Sequence, residues 1–321
     1  MDARPPPTGR PRASQPAPQA GPPSTNPTEC PLRGALSRPP PNGDDGDVTS
    51  AAPSTAIQCS TGPLWSFELG DALDLIAEAG FSEIELMVTR DPKTQDPALP
   101  LRLATERGLR IGAVHAPFLV VTRSVWGFDP IAKVKRGVAM CAELGAGTLV
   151  VHPPYLWERR YAGWIRAELA PFAAAHGVKV AVETMYPAAV AGRRVTGYRW
   201  IKPENLAAAA PLVVMDTSHL AVAGFDIVAT CKLFGPKLAH IHLSDNAGDG
   251  KDGHLEIGSG RLPLTELGAA LRATGYGGPV CLEVSLSRHG ADRSMALAVL
   301  KRNRARLEAA LRPDNSHILH E

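Results

Sequence analysis

From residue 56 to about residue 312 two kinds of segment alternate, and this alternation restricts the fold more than any other feature of the chain. Short runs rich in β-branched and apolar residues occur at 56–60, 83–87, 111–115, 148–152, 179–183, 212–216, 238–243 and 279–283. Amphipathic or Ala/Leu-rich stretches separate them. After the first run, Phe67, Leu69, Leu73 and Ile76 recur at near-helical spacing, and Gly80 follows as a stop. After the third, Ile131, Val134, Val138 and Cys141 form one stripe, closed by Gly145. A last helix is predicted over about 291–311. Eight strand–helix pairs in strict alternation over about 260 residues have the size of an α/β (β/α)8 TIM barrel. A doubly wound open sheet is the alternative, because alternation alone does not establish closure. No GxGxxG follows the first strand, which disfavours a dinucleotide-binding version.

The stretch before this region is of another kind. Of the 30 prolines, 14 lie at or before Pro53, and apolar periodicity is missing there. Such a stretch buries too little surface to offset the entropy of ordering. Three segments are therefore expected: a disordered Pro-rich tail over 1–55, a barrel over 56–312 and a short C-terminal tail over 313–321. A docking arm with PxxP-like segments, or a translation start nearer Val48, are other readings of the first. Cys30, Cys59, Cys141, Cys231 and Cys281 are odd in number, widely spaced and without a CxxC pair, so reduced thiols in a cytoplasmic protein are expected. The opening residues lack the apolar core of a secretory signal, and no window approaches the roughly 18 apolar residues of a membrane span. A net charge of +2 gives no field that selects nucleic acid at the whole-protein level.

The chemistry-bearing residues fall at the strand ends. His115, His152, Glu183, Asp216 and Glu283 close five predicted strands, and His242 lies near the end of a sixth. In a barrel these ends converge on one mouth. A single buried His or Glu at such a place is usually a hydrogen-bonded structural residue. Six together without a cation would carry heavy desolvation and repulsion costs. His219 follows Asp216 by three positions, and Asp252 and His254 lie in a glycine-containing loop able to fold back over the mouth. Carboxylate and imidazole donors without thiolate suit Mn, Mg, Zn, Fe or Co. One to three divalent ions fit this set.

The ordered motifs VHAPF (114–118), VVHPPY (150–155), VETMYP (182–187), MDTSH (215–219), HIHLSD (240–245), DGHLEIGSG (252–260) and CLEVS (281–285) resemble the xylose-isomerase-like barrel superfamily. That superfamily contains sugar and sugar-phosphate isomerases and epimerases, and endonuclease IV-type apurinic/apyrimidinic nucleases. The resemblance implies a four-ligand Mn or Mg site at Glu183, Asp216, His242 and Glu283 in the isomerase branch. In the nuclease branch it implies a three-zinc cluster on all nine residues: His115, His152, Glu183, Asp216, His219, His242, Asp252, His254 and Glu283. Under the first, a small-molecule sugar or sugar phosphate is the partner, Glu183 and Glu283 exchange a proton through an enediolate, and His219 holds a substrate oxygen. Under the second, Glu183 is a bridging ligand, and DNA contacts come from the loops bearing Tyr155, Trp157, Arg159, Arg160, Tyr161 and Trp164, and Arg193, Arg194, Tyr198, Arg199 and Trp200. A metal-containing binding barrel without catalysis is a third reading, which the paired Glu183 and Glu283 disfavour.

Two features favour the sugar reading over nucleic acid. Residues 61–321 carry 29 Lys+Arg against 27 Asp+Glu, a weak basic excess. Glu85 resembles a strand-two acidic position of the sugar enzymes and, facing the mouth, would repel a DNA phosphate. His240 is expected one layer below His242 as a buried, hydrogen-bonded residue. The run from His242 to Gly248 lacks the arginine that some epimerases carry there, so no particular ketohexose is implied. Barrels of this kind often associate, so a homo-oligomer is compatible with the chain, though no segment marks an interface. Membrane partners are not expected.

Overall fold

A computed structural model describes residues 55–190, 193–286, 290 and 292–312 of the chain. The expectations for 1–54 and 313–321 lie outside these residues. Ten strands and ten α-helices occur among the described residues. The strands are β1 (Ile57–Ser60), β2 (Glu83–Met87), β3 (Arg110–His115), β4 (Thr148–Val151), β5 (Lys179–Glu183), β6 (Ala188–Val190), β7 (Arg193–Val195), β8 (Val213–Asp216), β9 (Leu238–Leu243) and β10 (Val280–Leu282). The helices are α1 (Leu69–Glu78), α2 (Ala98–Glu106), α3 (Pro130–Leu144), α4 (Arg159–Ala167), α5 (Leu169–His176), α6 (Pro203–Ala209), α7 (Thr217–Ala223), α8 (Ile227–Phe234), α9 (Leu264–Ala273) and α10 (Arg293–Leu311).

Eight strands close in the order β1-β10-β9-β8-β5-β4-β3-β2, all pairs parallel. The open-sheet alternative is excluded, because β1 pairs with both β2 and β10 and no edge remains. Strict alternation is not kept. The β4–β5 connection holds α4 and α5, the β8–β9 connection holds α7 and α8, and β6 and β7 form an antiparallel ribbon outside the barrel.

The two-residue period of the strands decides which side chains reach the interior. In β5, Val180 and Val182 belong to the large core beneath the helices, while Ala181 packs in a small inner cluster with Val150 and Val214. Glu183, two residues beyond Ala181, shares its face. In β8, Val213 and Met215 join the outer core, leaving Val214 and then Asp216 on the inner face. In β9 and β10, Ile241, Leu243, Val280 and Leu282 face the helices, so His240, His242 and Cys281 face inward. The helix stops act as read from sequence: Gly145 ends α3 in the left-handed region at φ +69°. No helix among the described residues is long and apolar enough to cross a membrane.

Candidate metal centre

The structure brings all nine sequence-predicted residues into one connected constellation at the C-terminal mouth of the barrel. His152 and Glu283 sit one residue beyond β4 and β10 rather than inside them. Glu183 is the hub. Its Oε1 lies 2.8 Å from His242 Nδ1 and 3.6 Å from His219 Nδ1, and its Oε2 lies 3.4 Å from His115 Nε2 and 3.2 Å from His152 Nε2. His242 Nδ1 is also 3.1 Å from Glu283 Oε2 and 3.8 Å from Asp216 Oδ2. The looped-back residues join from the other side: Asp252 lies 3.5 Å from His219 Nε2 and 3.1 Å from His254 Nε2. Three overlapping sets, His115/Glu183/His242, Asp216/His219/His254 and Asp216/His242/Glu283, each offer ligand atoms within 4.8 Å of one another.

Local structure fixes these side chains. Asp216 ends β8 and caps α7, accepting a hydrogen bond from His219 N through Oδ1 at 2.8 Å. His219 is held by its Nδ1 donating to Thr184 O at 2.8 Å, and His254 Nδ1 donates to Glu283 O at 3.0 Å. The loop bearing Asp252 and His254 is secured by Asp245, whose carboxylate accepts from the backbone N–H of Asn246, Gly258, Gly260 and Leu262. A Cβ at Gly260 would lie 2.3 Å from Asp245 Oδ1, so only glycine permits this approach.

The electrostatics call for positive charge at the centre. Burial opposes ionisation of Glu183, yet the imidazoles of His242, His115 and His152 hold its carboxyl well below the usual carboxylate range. Burial pushes the Glu283 carboxyl up, with His242 and His254 opposing. Burial also disfavours protonated imidazole, but Asp216, Asp252 and Glu183 raise His219 well above its ordinary value. His254 is likewise raised, to about 9, with Asp216, Asp252 and Glu283 outweighing burial. Asp216 Oδ2 is buried and has no hydrogen-bond partner. A carboxylate oxygen stranded among three other ligand-type groups matches a divalent cation, as does the oxygen-rich donor set of Glu183, Asp216, His242 and Glu283.

Two expectations are corrected. Glu85 is not a mouth-facing charge: it is fully buried beneath the site, and its Oε2 accepts from His242 Nε2 at 3.0 Å. His242 and His240 hold its carboxyl below the usual range although burial acts the other way. With Nε2 committed to Glu85, His242 directs Nδ1 toward the mouth, where it donates to Glu183 and where a bound cation would take its lone pair instead, an arrangement that orients metal-binding imidazoles. His240 is buried one layer down as expected, but neither of its ring nitrogens makes a hydrogen bond.

Sequence reading missed the polar groups around Asp252. Ser218 Oγ donates to Asp252 Oδ1 at 2.7 Å, and Tyr186 OH donates to Oδ2 at 3.0 Å. Both residues lie inside quoted motifs, MDTSH and VETMYP, which was the available signal. The loop aromatics divide: Tyr161 and Trp164 are core, whereas Tyr155 stacks between Trp157 and Tyr198. Arg166 covers Trp200, and Arg160 pairs with Asp129 at 3.7 Å. A cleft of about 220 Å³ opens beside His254 and Glu283, walled by Gly62, Pro63, Trp65, Met87, Leu119, Ser285 and Leu286.

Comparison with known proteins agrees with this architecture. An uncharacterized protein of Mycobacterium tuberculosis is 34% identical over 266 residues, covering 77% of this chain and 95% of its own. The crystal structure of a D-tagatose 3-epimerase-like protein superposes with a TM-score of 0.59 at 21% identity, over 80% of this chain and 100% of that one. That of a D-psicose 3-epimerase in the presence of D-fructose gives 0.58 at 18% identity, over 80% and 99%. At such identities these two structures speak for the fold. A family model matches residues 73–303, and the chain accordingly belongs to the family of xylose isomerase-like TIM barrels.

Proposed function

We propose that the chain is a metal-dependent sugar isomerase or epimerase that moves a proton on the carbon next to a carbonyl. The observation that carries this reading is the convergence on His242 Nδ1 of Glu183 Oε1, Glu283 Oε2 and Asp216 Oδ2, at 2.8, 3.1 and 3.8 Å. These four residues would hold one Mn2+ or Mg2+. A cation there supplies Lewis acidity toward a hydroxy-carbonyl substrate. The protein's own groups do the rest. Glu183, kept ionised among its imidazoles, is the base. Glu283, whose carboxyl lines the cleft and is raised by burial, returns a proton. His219, pinned through Nδ1, offers Nε2 to a substrate oxygen. The solved epimerase structures support the same class of chemistry on the same fold.

The test is solvent deuterium incorporation. Incubation of candidate ketoses and aldoses in D2O should exchange the α-proton of the true substrate, and Glu183→Gln should lose exchange and turnover together. Retained exchange in that variant removes Glu183 as the base.

The three overlapping ligand sets favour one second reading, a three-zinc phosphodiesterase of the endonuclease IV type. Metal content separates the two: about one Mn or Mg per chain supports the isomerase, and close to three Zn with chelator-sensitive cleavage of an abasic duplex supports the nuclease.

A further inference from the structure

One layer below the mouth, inside the barrel, lies a second set of ligand-type groups that the proposed reaction does not use as ligands. Glu85 of β2, His240 of β9 and Cys281 of β10 place a carboxylate oxygen, an imidazole nitrogen and the thiol sulfur within 4.8 Å of one another. All three are fully buried; β9 and β10 are neighbours in the barrel, and β1 alone separates β10 from β2. Their polar atoms are not satisfied. Glu85 gives Oε2 to His242, but its Oε1 has no partner. His240 Nε2 lies 3.0 Å from Glu85 Oε2, off line for a hydrogen bond, and Nδ1 touches no acceptor or donor. Cys281 Sγ reaches only a long 3.9 Å contact to Leu282 O. A folded interior rarely leaves Glu85 Oε1, both ring nitrogens of His240 and the Cys281 thiol side by side without a good hydrogen bond, because each atom forfeits its hydration without recovering one.

We propose that Glu85, His240 and Cys281 bind a second divalent cation of the Zn2+ class within the barrel, separate from the ion at the mouth. A carboxylate and a thiolate together balance the two charges of such an ion, and a neutral imidazole completes the set, so the buried site carries no net charge. The sulfur donor excludes Mg2+ and Ca2+ and selects Zn2+, Fe2+ or Co2+. Loading releases the Cys281 thiol proton to solvent, with no change in oxidation state. The ion would also fix Glu85, the residue that directs His242 Nδ1 toward the mouth. A buried water bridging the same groups is the competing occupant.

Sulfur makes the two sites spectroscopically distinct, because none of the nine residues at the mouth is a cysteine. As the inner site is closed, Co2+ is supplied during expression and the purified holoprotein is examined by absorption spectroscopy and metal analysis. A thiolate-to-cobalt charge-transfer band in the near ultraviolet is expected. It should be lost in Cys281→Ser together with about one metal equivalent per chain, and retained in Cys141→Ser and in the mouth variant Asp216→Asn. His240→Gln, which keeps the thiol, should shift or abolish the band. Cobalt protein loaded at the mouth but lacking the band overturns the proposal, as does a band that survives Cys281→Ser or is unchanged in His240→Gln. Should Cys281→Ser fail to fold, the wild-type and His240→Gln spectra decide. A negative result leaves the mouth site untouched, since its donors are nitrogen and oxygen alone.

Discussion

The two carboxylate oxygens of Asp216 stand in different surroundings, and under the proposed function this allows ligation to be separated from folding. Oδ1 caps α7 by accepting from His219 N at 2.8 Å, while Oδ2 is buried, unpartnered and 3.8 Å from both His219 Nδ1 and His242 Nδ1. Asn caps helices as well as Asp, so Asp216→Asn keeps the cap and replaces the ligand oxygen by an amide NH2. Asp216→Ala removes both, and the lost cap costs about 1 kcal/mol. For a domain of this size that is a fall of about 2–4 °C in melting temperature. A cation present at a hundredfold over its Kd stabilises the native state by about 2.7 kcal/mol, or about 5–10 °C on the same scale. Calorimetry on chelator-stripped protein, before and after Mn2+ is added, reads each part. Without cation, Asp216→Asn should melt within about 2 °C of wild type, because the cap remains. With cation, the wild-type rise should be missing from the Asn variant. Asp216→Ala should lack the rise and also start lower. An Asn variant that shows the full wild-type rise would falsify the assignment of Oδ2 as a ligand.

Other consequences can be checked directly. Ser218→Ala removes a 2.7 Å hydrogen bond to Asp252 and should weaken cation or substrate binding by about tenfold in titration calorimetry; unchanged binding would mean Tyr186, His219 and His254 position Asp252 without Ser218. Burial raises the Cys141 thiol to about 12, above its unfolded value of 9.0, so its contribution to stability is complete below pH 9 and is lost as pH rises toward 12. The stability gap between wild type and Cys141→Ala in urea should therefore narrow between pH 7 and pH 10.5, and a constant gap would contradict the shift. Gly268→Ala would set a Cβ 2.1 Å from the backbone oxygen of Ala310. Separation of α9 from α10 should cost about 1–3 kcal/mol in urea denaturation, and wild-type stability would show that the helices shift freely.

Most of the candidate site was legible because a strand's two-residue period and a barrel's geometry act together. A polar residue closing a β-rich run on the inner face must reach the mouth, and His115, Glu183 and Asp216 obey that rule. What was not legible depends on contacts distant in sequence. That Glu85 faces His242 across the interior, 157 positions away, is set by strand order and not by any local pattern. The ribbon of β6 and β7 escaped notice because Ala188–Val190 and Arg193–Val195 are three residues each and lack apolar alternation. Helix α7 was hidden for another reason: it starts at Thr217, directly after the last strand residue, with no loop to announce it.

The hold of Asp245 on its loop reaches further than the hydrogen bonds themselves. One carboxylate ties residue 246 at one end to residues 258–262 at the other, so the intervening segment leaves and rejoins the barrel at a fixed knot. Between the two attachment points the segment is pinned again, by the paired backbone of Asp245 and Leu255 and by Ser285 N donating to His254 O. A single carboxylate outside the nine-residue cluster thus sets where Asp252 and His254 stand above the eight strands.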